Sequence, residues 1–198
     1  MLRPILSRTE FLAATILRPA TFDQRVKVGE FCFALGCRRT AHINEYSWLD
    51  VFCFLLTSMI HAFSGLELKR CADTMRDNWE RWLALLVKFE HRPDLGQQFV
   101  CIAWTTTDRS QPPRVLFGDH GEIADALHPE TTAPTFIGMS FVLRALRDNA
   151  ALAGLTPPAK LTANPKDEAA YSRWRDEIDA YREAAGVRLA KIKPLTPA

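Results

Sequence analysis

The sequence predicts an α+β fold that is mainly helical, and three observations carry that expectation. Apolar residues recur three and four positions apart through Phe11–Leu17, Trp48–Phe63, Trp79–Phe89, Phe141–Leu152 and Tyr171–Tyr181. Alternating, β-branched and aromatic stretches are confined to residues 30–46, 98–118 and the run PTFIG before Met139. Of the 198 residues 47% are apolar and 24% charged, a composition that builds a buried core and argues against disorder. The expected units are an N-terminal one at 1–92, a small α+β module at 97–155, and a linker with a C-terminal amphipathic helix at 156–198.

Taken in order, Ser7 followed three residues later by Glu10 is a capping-box pattern, so a short helix is expected from there to about Leu17. Pro19 suits the first turn of a second helix, which is expected to set Phe22 and Val26 toward the core and to end by Gly29. From Glu30, FCFALG, the basic connector CRRTAHI and NEYS read as two short strands around an exposed basic turn. Ser47 is the expected N-cap, and Gly65 the stop, of an apolar helix WLDVFCFLLTSMIHAF that would be the buried spine. A fourth helix from Leu66 or Glu67 to Met75 leads into Trp79–Phe89, and Pro93 with Gly96 marks a boundary. QFVCIAWT and VLFG then make a hairpin, Glu122–Leu127 a short helix, and PTFIG a strand entering an amphipathic helix that ends at Gly154. The terminal helix carries Tyr171, Trp174, Ile178 and Tyr181 as a stripe that needs a partner surface, and association between subunits is its expected use.

Charge narrows the function. Twenty-five Lys plus Arg against 23 Asp plus Glu leave a formal net charge of only +2, which excludes a generally basic chain as the basis of nucleic-acid binding. The positive charge is local: residues 1–42 hold seven Arg or Lys against three acids. The longest apolar stretch, Val51–Phe63, contains Cys53, Thr57, Ser58 and His61 and falls short of the roughly 20 apolar residues of a membrane span. A proline and charges in MLRPILSRTEF do not suit a signal peptide, so a cytoplasmic location without a membrane partner is expected. Five scattered cysteines, Cys32, Cys37, Cys53, Cys71 and Cys101, fit reduced core thiols.

Two short helices joined by a turn of about four residues have the spacing of a helix-turn-helix. On the second, Arg18, Thr21, Gln24, Arg25 and Lys27 mix phosphate-binding cations with an amide and a hydroxyl able to read base edges. Arg38, Arg39 and His42 fall at the basic turn. The stretches SRTEFLAATILRPATFDQRVKVG, FCFALGCRRTAHINEYS and YSWLDVFCFLLTSMIHAFSGLELKRCADTMR together resemble the winged helix-turn-helix DNA-binding domains of the MerR type, over about residues 8–76. The resemblance implies that the second helix enters the major groove and the wing grips the flanking backbone or minor groove. It implies a transcriptional regulator that binds double-stranded DNA, pairs as a homodimer and has RNA polymerase as a further partner. The turn carries Ile16 where a small residue, often Gly, is usual in that family.

The rival readings are a protein-interaction or assembly module that keeps this shape without using it on DNA and, more remotely, a small hydrolase centred on GDHGE at 118–122 with His128 and Glu130. That segment lacks a paired metal-ligand spacing and an identifiable nucleophile, and a turn joining a strand to a helix explains its glycines. Cys32, Cys37 and His42 lack a fourth ligand at zinc-finger spacing. No catalytic residue, metal site or cofactor is expected, and the chain is not read as an enzyme.

Overall fold

The structure, a computed structural model, describes residues 5–40, 43–104, 113–127 and 129–186. Eight α-helices and two small three-stranded sheets make it a mainly helical α+β fold among those residues.

The N-terminal part follows from its caps. Strand β1 (Leu6–Ser7) runs into α1 (Arg8–Thr15), where the Ser7 hydroxyl accepts the Glu10 N–H at 3.3 Å and the Glu10 carboxylate accepts the Ser7 N–H at 2.7 Å. At the other end of α1, Leu17 N–H donates to the Leu12 carbonyl at 3.0 Å and Ile16 N–H to the Ala13 carbonyl at 3.2 Å. This paired closure requires a left-handed residue at position 16, which glycine adopts most easily. Ile16 takes it at φ 55°, with its side chain 64% exposed. Helix α2 (Pro19–Lys27) then starts with Pro19 in its first turn, where the missing N–H costs nothing.

Residues 30–37 depart from the expected strand. Phe31, Cys32, Ala34, Leu35 and Gly36 are all buried, so the segment has no solvent face, and its alternation does not describe a half-exposed strand. Its N–H groups go to a side chain instead of a ladder: Leu35 and Gly36 donate to one oxygen of Asp50 at 2.7 and 3.2 Å. The other Asp50 oxygen accepts the Ser47 N–H and hydroxyl at 2.9 and 2.7 Å. The first strand of the hairpin is therefore the basic stretch itself, β2 (Arg38–Thr40), paired with β3 (Ile43–Tyr46) in the register Arg38 to Glu45 and Arg39 to Asn44. β3 also pairs with β1, giving the order β1-β3-β2, a third strand that the sequence did not announce.

Helix α3 (Trp48–Ser64) is the spine: 12 of its 17 residues are buried, Ser47 caps it and Gly65 closes it at φ 70°. Helices α4 (Leu68–Asp77) and α5 (Trp79–His91) break at Asn78, whose side-chain amide donates to the Thr74 carbonyl at 2.9 Å. After a 3-10 turn at Pro93–Leu95 come β4 (Phe99–Trp104), β5 (Arg114–Gly118), α6 (His120–Ala126), β6 (Thr132–Gly138), α7 (Met139–Leu152) and α8 (Glu168–Ala184). The second sheet has the order β5-β4-β6, and β4 alternates between two cores. Val100, Ile102 and Trp104 enter the main one, while Cys101 and Ala103 meet Ile123 of α6.

One apolar cluster runs from Leu6 to Tyr181. Helix α7 packs on α1 and α3, and α8 packs on β2, so the turn at Pro93–Leu95 marks a change of direction and not a gap in the packing. The stripe on α8 that was expected to serve association is used within the chain, with Trp174, Ile178 and Tyr181 all buried. Each large apolar side chain so buried contributes about 1.5–3 kcal/mol. Among the described residues no helix is long and apolar enough to cross a membrane.

Candidate nucleic-acid interface

The candidate surface hangs from a cluster of rings. Phe11 of α1 stacks on Tyr46 of β3 at 4.5 Å and meets Phe22 of α2 edge-on at 5.8 Å. Phe22 meets Phe31 at 5.0 Å, and Phe31 stacks on Phe54 of α3 at 5.0 Å. Helices α1, α2 and α3, strand β3 and the loop before β2 each contribute a ring to the joint, and α2 meets the wing strand β3 where Phe22 lies 6.1 Å from Tyr46. Phe22 is the one buried residue of α2. Val26, expected to face the core beside it, is 43% exposed, while Phe31 and Phe33 pack on Phe22 at 5.0 and 6.2 Å.

That single anchor leaves the rest of α2 outward. Arg18, Gln24 and Lys27 are exposed, and Thr21 and Arg25 are half-buried. Arg8, by contrast, is tied down: its guanidinium lies 5.5 Å from the Phe22 ring and 2.6 Å from the Asp23 carboxylate, which joins α1 to α2 and cancels both charges. Among the described residues Arg18, Arg25, Lys27 and Arg39 make no ion pair, so their positive charge stays uncompensated at the surface.

The wing is built differently from the expected basic tip. Arg38 and Arg39 are consecutive strand residues and point to opposite faces. Arg38 is half-buried and reaches Glu45 across the ladder at 3.9 Å, whereas Arg39, opposite Asn44, is exposed. Thr40 donates to the same Glu45 carboxylate at 2.6 Å. His42 lies outside the described residues, as does the turn between β2 and β3.

Two residues that sequence reasoning missed hold this hairpin from below. Tyr181 donates its hydroxyl to the Glu45 carbonyl at 2.7 Å, and Arg182 donates from Nη1 to the Ala34 carbonyl. The Arg182 guanidinium lies 4.0 Å from the Trp79 ring, and burial lowers its pKa. Arg175 adds an ion pair to Glu80 at 3.2 Å. The signal was present but ambiguous: Arg182 stands four residues after Ile178, a stripe position, where a cation is out of place. Burial likewise raises the pKa of Asp50, opposed by its four accepted hydrogen bonds.

The described parts of the rival sites take local structural roles, and His128 lies outside the described residues. In GDHGE, Asp119 caps α6 by accepting the Glu122 N–H at 2.9 Å, and Glu122 takes the Asp119 N–H at 2.9 Å and Lys88 at 2.8 Å. His120 packs on the Phe99 ring at 4.2 Å. The Cys32 sulfur lies 3.6 Å from that of Cys53, both buried, while Cys37 is half-buried near Tyr46. A separate groove of about 660 Å³, lined by Phe63, Phe99, Phe136 and Phe141 among others, has no charged residue in its wall and is chemically unlike the cationic surface. No protein-family model matches the chain, and no curated protein matches its sequence.

Proposed function

We propose that this chain is a sequence-specific DNA-binding transcriptional regulator of the winged helix-turn-helix kind, with α2 in the major groove and the β2–β3 hairpin on the flanking backbone. The observation that carries the reading is the set Arg18, Arg25, Lys27 and Arg39. Arg25 and Lys27 lie on α2, Arg18 is its N-cap, and Arg39 lies on β2, which pairs with the β3 strand that carries Tyr46 of the aromatic joint; among the described residues none of the four is neutralised by an ion pair. Phosphates supply the counter-charge that such a surface lacks, and Gln24 and Thr21 on the same helix supply hydrogen bonds for base edges. The order of helices, hairpin and apolar helix supports the likeness to MerR-type domains. A single helix-turn-helix unit makes few base contacts, so two copies reading two half-sites is part of this proposal. Because the α8 stripe is buried within the chain, that pairing uses another surface, and RNA polymerase remains a proposed partner of the assembled complex.

One observation favours the protein-interaction reading: Ile16, Val26 and Val28, on and beside α2, are exposed at 64%, 43% and 47%. An electrophoretic mobility shift with genomic fragments at two salt concentrations separates the two readings. A DNA reader gives a sequence-dependent complex that weakens with salt, and an interaction module gives no retained complex.

A further inference from the structure

We infer that Tyr181 and Arg182 of α8 are positioning residues for the wing, fixing the angle at which the β2–β3 hairpin presents Arg39 beside α2; the inference rests on the DNA-binding reading. The hairpin needs such a hold. Its sheet consists of strands of two, four and three residues in the order β1-β3-β2, too small to keep an orientation by itself.

The holding points lie at the roots of both wing strands. Immediately before β2, the backbone of residues 34–36 is gripped from two sides: Asp50 of α3 takes the N–H groups of Leu35 and Gly36, and Arg182 of α8 donates to the carbonyl of Ala34. Near the end of β3, the Glu45 carbonyl accepts the Tyr181 hydroxyl at 2.7 Å. Helix α8 thus bonds to the backbone at the entry of one strand and the exit of the other, across 148 and 136 residues of sequence.

Arg182 is an unusual side chain for a buried site. Its side chain is 4% exposed, its Nε has no hydrogen-bond partner, and its contacts are a carbonyl and the face of Trp79 instead of a bonded carboxylate. An apolar side chain of similar volume would keep the packing on Trp79 but leave the Ala34 carbonyl without this donor, so the guanidinium also contributes stability. What the guanidinium adds besides is direction, a donor that selects one orientation of the Ala34 peptide and hence of the strand that follows it.

The test uses the full chain with Arg182→Met, which keeps the packing, Arg182→Lys, which keeps a donor, and Tyr181→Phe, the mildest change. Hydrogen exchange of the β2 and β3 amides is measured together with the salt dependence of binding to a duplex selected by the unaltered protein. Expected are faster exchange in β2 and β3 with α3 unchanged in Arg182→Met and Tyr181→Phe, and recovery of slow exchange in Arg182→Lys. The slope of log K against log salt should fall by about 0.9 in Arg182→Met, the loss of one phosphate contact. Unchanged wing exchange in Tyr181→Phe and Arg182→Met overturns the inference, and so does faster exchange with an unchanged slope. If Arg182→Met does not fold, Tyr181→Phe carries both measurements. A sequence-independent result with the unaltered protein overturns the DNA reading itself, and the exchange data then show separately whether α8 holds the hairpin.

Discussion

The turn between α1 and α2 offers a test whose sign, not only its size, is set by the backbone. Ile16 sits at φ 55° and ψ 37°, closing α1 through hydrogen bonds from Leu17 and Ile16 to Leu12 and Ala13. In that region a Cβ crowds the following carbonyl at a cost of about 1–2 kcal/mol, which glycine escapes. Glycine gives back about 0.5–1 kcal/mol through the greater freedom of its unfolded chain. Comparing Ile16→Gly with Ile16→Ala removes the isoleucine side chain, 64% exposed, from both sides of the ledger. The glycine variant should therefore be the more stable by up to about 1.5 kcal/mol, the difference of those two effects. For a chain of this length that separates the melting temperatures by up to about 6 °C. Ala13→Gly, inside α1, should show the opposite sign, about 0.5–1 kcal/mol less stable than alanine. Thermal and urea unfolding followed by circular dichroism measure all three. If Ile16→Ala proves more stable than Ile16→Gly, position 16 is not left-handed, and the turn that aims α2 is not the one described.

Three further outcomes follow from the same geometry. Asp50→Asn keeps the shape but leaves donors among Leu35, Gly36 and Ser47 facing an amide nitrogen; with two of the four unmatched, at about 1–3 kcal/mol each, urea unfolding should show a loss of about 2–6 kcal/mol. Arg39→Ala should lower the salt slope of DNA binding by about 0.9 and Arg38→Ala by less, because only Arg39 is exposed and free of Glu45; equal effects in anisotropy titrations would contradict the strand placement. A chain cut after residue 96 should lose cooperative unfolding and associate in light scattering, because α7 and α8 cover apolar surface on α1, α3 and around Trp79; a monomeric truncated form with a sharp transition would contradict the main core shared across residue 96.

The caps were the most legible part of the fold. Ser7 with Glu10, Ser47, Pro19 and Gly65 each act where their local chemistry places them, since a cap satisfies backbone groups within one turn and needs no distant partner. The stretch FCFALG was misread because alternation carries the strand signal only when one side of the segment meets water, and here both sides are buried. Its true organiser, Asp50, lies 14 and 15 residues away from the N–H groups it accepts. On the candidate surface, the sequence supplied the cations but not which of them stay free. Arg8 loses its charge to Asp23 and Arg38 part of its own to Glu45, pairings made by tertiary structure and strand register. Phe31 and Phe33 pack on Phe22 while Val26 faces solvent, and the α8 stripe found its partner within the chain; neither follows from periodicity.

The central claim is that α2 reads DNA, and the most direct measurement is a genome-wide map of the sites occupied in cells by the unaltered chain and by the double variant Arg25→Ala, Lys27→Ala. Both residues lie on the helix held by Phe22 and the Arg8–Asp23 ion pair, neither of which they touch, so their loss should leave the helical circular dichroism and the melting transition unchanged. The account predicts discrete sites sharing one motif for the unaltered chain, and loss of that motif in the variant; a base contact by Arg25 is worth about 1–3 kcal/mol, enough to erase most occupancy. A map without enriched sites, or the same sites held equally by the folded variant, would contradict it.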